Sequence, residues 1–193
     1  MLAALIIVVP TAAPTSANAT ATLAAEAPEA ALECLTTAIA YEAGFEPRAG
    51  QEAVAEVILN RTRSGFYPRT VCGVVYQGSS RRTGCQFSFT CDGSLRRALP
   101  ASVMSASRAV AAAAIAEMGL PGSGRRHTLG ATHYHADYVS PYWAPTLTRV
   151  TKIGAHIFYR MRGVEGGPLV PGAAVAPLPA AAAATVTAAP AAE

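Results

Sequence analysis

The stretch AIAYEAGFEPRAGQEAVAEVILNRTR, Ala38 to Arg63, decides how this chain folds. It reads as two helices joined by a tight turn. Leu35 and Ile39 continue an apolar stripe from Leu32 at helical spacing, and the next position on it, three beyond Ile39, is Glu42. A carboxylate on an apolar face is either a reactive group or a structural one. The structural options are a solvated helix charge or an ion pair with Arg61 or Arg48. Gly44 lets the backbone turn, and Pro47 blocks continuation of the first helix. A second helix begins near Ala49, with Val54, Val57, Ile58 and Arg61 on one face, and Gly65 and Pro68 close it.

Working outward, the first helix starts at about Glu33. Downstream, TVCGVVYQ (70–77) is a short apolar piece whose state the pattern does not assign, and GSSRRTG (78–84) is a polar loop. The Ala-rich run Ala101–Met118 is a helix ended by Gly119 and Pro121, and its small residues predict close, central packing. TLGATHYHADYV (128–139) and LTRVTKIGAHIFYR (147–160) are rich in β-branched and aromatic residues and predict two or three short strands. The fold class is α+β, a small and mainly helical domain with a short β-sheet.

The 193 residues suffice for one core, but both ends are largely Ala, Pro and Thr. A net charge of +3 with 14% charged residues is too mild to call for nucleic acid. Residues 1–19 have the apolar run and the Ala17-Asn18-Ala19 cleavage pattern of a secretory signal. Leu2 to Val9 falls far short of the roughly 20 residues a membrane span needs. The expected division is a signal peptide at 1–19, a linker at 20–29, a folded domain at 30–166 and a disordered Ala/Pro-rich tail at 167–193. The product is a monomer exported to the periplasm or cell envelope. Four cysteines agree with export, as two disulfides. Cys85 and Cys91 bracket a short loop, which leaves Cys34 for Cys72, although three connectivities are open. No C-x-x-C is present, and the cysteine spacings fit structural zinc poorly.

The run from Ala38 to Gln77, then CQFSFTCDG (85–93), then GATHYHADYVSPYWAPTLTRVTKIGAHIFYR (130–160), resembles the SleB/CwlJ cell wall hydrolase family. The match spans about Glu33 to Arg162 with the blocks in the same order. It implies a compact lysozyme-like domain that cuts peptidoglycan glycan strands between N-acetylmuramic acid and N-acetylglucosamine by lytic transglycosylation, with no metal or other cofactor. The family's catalytic glutamate falls on Glu42. Partial desolvation beside Ile39 and Tyr41 would raise its pKa toward the working pH. For substrate binding, Gln86 and Ser88 offer neutral hydrogen-bonding groups between aromatics, and an extended QFSFT would put the two sets on opposite faces. In ATHYHA, Thr132 and Tyr134 point one way, and His133 and His135 the other. That stretch lines the family's cleft, with Tyr134 as the expected sugar contact. Asn60 lies in the family's ILNR motif, or else makes a helix-end hydrogen bond. Trp143 is a cleft-edge platform or core. The family usually reads Glu-Ala-Arg-Gly-Glu at the catalytic turn. Here Glu42-Ala43-Gly44-Phe45-Glu46 lacks the arginine.

Two other chemistries fit the same residues. A zinc amidase or peptidase would use His133, His135 and His156 with Asp137 as ligand or base, although no tight zinc signature is present. A noncatalytic domain would hold glycan without cutting it.

Overall fold

The computed structural model describes residues 26–81, 84–118 and 126–163. The expected signal peptide and the tail lie outside them. Four helices, α1 (Pro28–Ala43), α2 (Arg48–Arg63), α3 (Val71–Val75) and α4 (Ala101–Ala116), precede three strands, β1 (His133–Ala136), β2 (Thr148–Ile153) and β3 (His156–Arg160). The strands form one antiparallel sheet in the order β1-β3-β2, with Tyr134 opposite Phe158. The expected α+β class with a short sheet is what the chain adopts.

α1 begins five residues before its expected start, inside the segment assigned to the linker. Glu26 explains why that segment is ordered. Its carboxylate accepts the backbone N–H groups of Val71 and Cys72, both at 2.8 Å, and so caps α3, the piece the pattern left unassigned. The Cys34–Cys72 disulfide, with Cα atoms 5.2 Å apart, ties α1 to the same short helix. Cys85 pairs with Cys91.

α1 ends where Gly44 meets α4. A Cβ on Gly44 would sit 2.6 Å from Val103 Cγ1 on α4 and closer still to the Ala40 carbonyl oxygen of α1, so a larger residue fits only if one of the two shifts. Glycine here, where the family has arginine, is the condition for this close approach. Pro47 then caps α2 from outside, at a position whose N–H has no helical partner.

The centre of the molecule is α2, in which every residue from Ala53 to Arg61 is buried. α4 does not pack centrally as its small residues suggested. Only Ser107, Val110 and Ala111 are buried, because alanine supplies helix propensity without apolar area enough to demand an interior position. The main core joins α1, α2 and α3 to Val110 and Ala111 of α4 and to Phe87 and Phe89. One side of the sheet rests on α2 through Phe158, Ala53 and Val57, and a second cluster gathers Trp143, Leu147 and Tyr159.

Candidate active site

Glu42 occupies the last turn of α1, half-buried, where the Leu35–Ile39 stripe placed it. Its Oε2 accepts a 3.0 Å hydrogen bond from the Tyr134 hydroxyl on β1. Burial pushes the Glu42 carboxyl from its ordinary 4.5 up to about 7. The Tyr134 bond and the positive charge of Arg61 oppose that rise by favouring the carboxylate, and Asp92 adds to it. Burial and the neighbouring Glu42 together push the Tyr134 hydroxyl well above its usual range, so Tyr134 remains a donor. A carboxyl balanced near neutrality can give a proton and take one back.

α2 builds the second wall. Arg61 is 4% exposed, and its Nε donates to the Thr132 carbonyl at 2.8 Å. Its guanidinium carbon lies 5.3 Å from the centre of the Tyr67 ring and 5.4 Å from that of Phe87, a cation held by aromatic faces. One residue earlier, Asn60 donates to the Ala131 carbonyl at 3.0 Å. One turn before that, Glu56 accepts from Thr128 N and Oγ1 at 2.9 and 2.8 Å. These three residues on α2 fix the chain from 128 to 132 and so set where Tyr134 emerges.

The 85–97 segment forms a third side. QFSFT is not a strand: Ser88–Thr90 is a short 3-10 turn, closed off by the Cys85–Cys91 bridge. Burial nevertheless alternates, with Phe87 and Phe89 inside and Gln86, Ser88 and Thr90 part-exposed. The bridged loop therefore presents the polar set outward much as an extended segment would. Phe89 stacks on Tyr41 at 5.3 Å, and the Tyr41 hydroxyl donates to the Arg97 carbonyl at 2.8 Å, which anchors this segment beside Glu42. Exposed Asp92 accepts from Ser94 N at 2.7 Å.

Several expected binding residues are interior instead. Thr132 is 1% exposed, and its hydroxyl meets His133 Nδ1 at 2.9 Å. Asn60 is 2% exposed and makes the strand contact described above, and Trp143 at 3% belongs to the core. His133 is also buried, with Nε2 at 3.3 Å from the Tyr67 hydroxyl. Burial, then the Arg61 charge, lowers its pKa to about 3, which keeps it neutral. Of the expected set only Gln86, Ser88 and Tyr134 keep surface.

The zinc arrangement does not assemble. Among the described residues no group of three His, Cys, Asp or Glu side chains is placed to hold a metal ion. Both His135 nitrogens are engaged, by the Ala136 carbonyl at 2.8 Å and the Tyr159 hydroxyl at 2.9 Å. His156 packs against Tyr134 instead, edge to face at 5.2 Å. Asp137 pairs with Lys152 at 2.7 Å, and that bond holds its carboxyl below the usual range. Glu46, four residues past Glu42, accepts from Ala155 N at 3.1 Å at the β2–β3 turn. A Cβ on Gly154 there would run into the Glu46 carboxylate, and its φ of +57 already favours glycine. The sequence missed the parts played by Glu46 and Glu56, and it offered Arg61 only as an ion-pair partner of Glu42, not as the residue that holds the Thr132 carbonyl. For Arg61 the available signal was its place on the apolar face of α2.

The cell wall hydrolase family model matches residues 45–159, starting three positions after Glu42. A spore cortex-lytic enzyme of Halalkalibacterium halodurans is 31% identical over 130 residues, covering 66% of this chain and 34% of that protein. One from Bacillus cereus is 31% identical over 128 residues, covering 66% and 43%. The chain thus spans well under half the length of these relatives. Among solved structures, the catalytic domain of the germination-specific lytic transglycosylase SleB from Bacillus anthracis is 29% identical, covering 67% of this chain and 93% of that one, with a TM-score of 0.49. The chain belongs to the cell wall hydrolase family.

Proposed function

We propose that this cell wall hydrolase cleaves the glycan strands of peptidoglycan between N-acetylmuramic acid and N-acetylglucosamine, as a lytic transglycosylase with Glu42 as its one acid and base. The observation that carries this is the half-buried Glu42 carboxyl, raised to about 7 and held by Tyr134. Protonated Glu42 gives its proton to the glycosidic oxygen as the bond to the anomeric carbon of the muramic residue breaks. The resulting carboxylate, steadied by the Tyr134 hydroxyl and the Arg61 charge, takes the proton of the same sugar's 6-hydroxyl as that oxygen bonds to the anomeric carbon. The products are a free 4-hydroxyl and a 1,6-anhydro end. No water is consumed.

Hydrolysis by either standard route uses two carboxylates flanking the scissile bond. The carboxylates that could serve as a second already have protein partners: Glu46 has Ala155, Asp137 has Lys152, and Asp92, whose charge acts on Glu42, has Ser94. That commitment favours the single-acid route. Gln86 and Ser88 bind sugar hydroxyls, a role supported by their part-exposed position on the bridged loop. The names of the spore cortex-lytic relatives agree with a wall substrate. Residues 1–19 act as a secretory signal, and 167–193 as a spacer outside the folded domain.

Mass spectrometry of fragments released from purified peptidoglycan tests this reading. Anhydro-muramic ends are expected. Reducing ends would replace it with hydrolysis, and freed peptides with an amidase.

A further inference from the structure

Among the described residues the most exposed large apolar side chain is Phe45, at 79%, followed by Tyr138 at 66%. Although they are far apart in sequence, their chain neighbours bond the same residue. Glu46, next to Phe45, accepts from Ala155 N at 3.1 Å, and Asp137, next to Tyr138, donates its backbone N–H to the Ala155 carbonyl at 2.7 Å. The two aromatics are thus rooted on either flank of the β2–β3 tip, with Cα atoms within roughly 13 Å of Ala155 by chain geometry.

Both mounts are rigid. The Gln51 side-chain amide donates to the carbonyls on each side of Phe45, to Gly44 O at 3.4 Å and Glu46 O at 3.2 Å. Gly44 is pressed on α4, and Glu46 N bonds Ala43 O at 2.9 Å. Beside Tyr138, the Asp137–Lys152 pair and a turn bond from Val139 N to Ala136 O at 3.0 Å fix the backbone. Two exposed rings on fixed backbone lose little freedom on binding a ligand. The surroundings are polar: the side chains of Lys152 and of Asp137, the residue before Tyr138, remain 47% and 34% exposed. Isolated aromatic faces among hydrogen-bonding groups suit a pyranose, whose axial C–H face is apolar and slightly positive while its hydroxyls point outward. A protein partner would call for a contiguous apolar patch.

We infer that Phe45 and Tyr138 flank a saccharide subsite at the β2–β3 tip, continuous with the acid site, where pyranose rings of the glycan strand stack. Both rings are attached to the elements that build the acid site: Phe45 follows Glu42 by three residues, and Tyr138 follows Tyr134, the hydrogen-bond donor to Glu42, by four. The inference rests on the glycan reading above and names a part of the substrate's path. It also gives a use to Phe45, which stands where the family pattern has glycine.

The test measures sedimentation with purified peptidoglycan sacculi of chains carrying Glu42→Gln, so that binding is separated from cleavage, together with the half-saturating sacculus concentration of the active chain. Phe45→Ala and Tyr138→Ala should each weaken both by roughly 3- to 10-fold. Phe45→Trp should restore them, with melting temperature unchanged in each case. Met118→Ala, an exposed apolar side chain about 20 Å from Gly44 along α4, should change neither. Parent-like values for Phe45→Ala and Tyr138→Ala, an equal loss in Met118→Ala, or no binding by the parent would overturn the subsite. If the chain binds in a Phe45-dependent way but releases nothing, the cleavage reading fails and the subsite stands. If it releases anhydro fragments with Phe45→Ala at parent concentrations, the reverse holds.

Discussion

The two faces of β1 carry the same kinds of side chain and do different work. On one, Tyr134 reaches Glu42 at 3.0 Å, against a carboxyl that burial has brought near neutrality. On the other, His133 and His135 lie 5.5 and 5.6 Å from the Trp143 ring, and His135 stacks on Tyr159 at 5.2 Å. Every hydrogen-bonding atom of these two imidazoles already has a protein partner. A titratable residue becomes reactive where its proton is contested, and structural where its bonds are complete. The alternation along THYHA is the same in both readings, so spacing alone could not tell one face from the other.

Breaking the structural face should cost most. Trp143→Ala removes a 3%-exposed side chain at the centre of that aromatic block and should destabilise the domain by about 3–5 kcal/mol. Denaturant unfolding measures it, and a loss below about 1 kcal/mol would mean that Trp143 is a surface platform after all.

Next in size is the stability held in Glu42. Its folded pKa is raised, so folding favours the protonated form. The contribution is complete below pH 4.5, where folded and unfolded chains are both protonated, and is lost as pH rises to about 7. Glu42→Gln has no such loss, and should therefore gain stability over the parent by up to about 3 kcal/mol between pH 4.5 and pH 8. A gain that does not change with pH would contradict the raised pKa.

Tyr134→Phe sharpens the comparison from the reactive side. It removes a hydrogen bond that favours the carboxylate, worth roughly 1.5 kcal/mol for a charged acceptor. The Glu42 pKa should then rise by about one unit, moving the alkaline limb of the rate profile upward and lowering turnover about tenfold. A profile that keeps its limb while turnover falls would make Tyr134 a sugar contact alone. Smallest of all is the effect of chelation. EDTA should change activity less than about twofold, and a loss restored by zinc would return the histidine face to the chemistry.

Much of this architecture was legible because it is local. The helix pair around Gly44 and Pro47, the Ala101 helix and the strands flanking Gly154 each follow from period and breakers within a dozen residues. Glu42 was legible too, as a charge on an apolar stripe. What could not be read are the long-range closures. Tyr134 meets Glu42 across 92 positions, and Ala155 meets Glu46 across 109. Polar residues such as Asn60 and Thr132 looked available to a ligand because composition does not reveal which carbonyl or imidazole will occupy them. QFSFT misled in form only, since the disulfide turn reproduces the alternation of a strand.

The most direct measurement is the rate at which Glu42→Gln releases anhydro-muramic fragments from purified peptidoglycan, beside the parent and Asp92→Asn. Losing the only group that can give and retake the proton should lower the rate on the order of 100-fold or more, with sacculus binding and folding intact, while Asp92→Asn retains most of the parent rate. A Glu42→Gln chain that releases anhydro fragments near the parent rate would contradict the single-acid account.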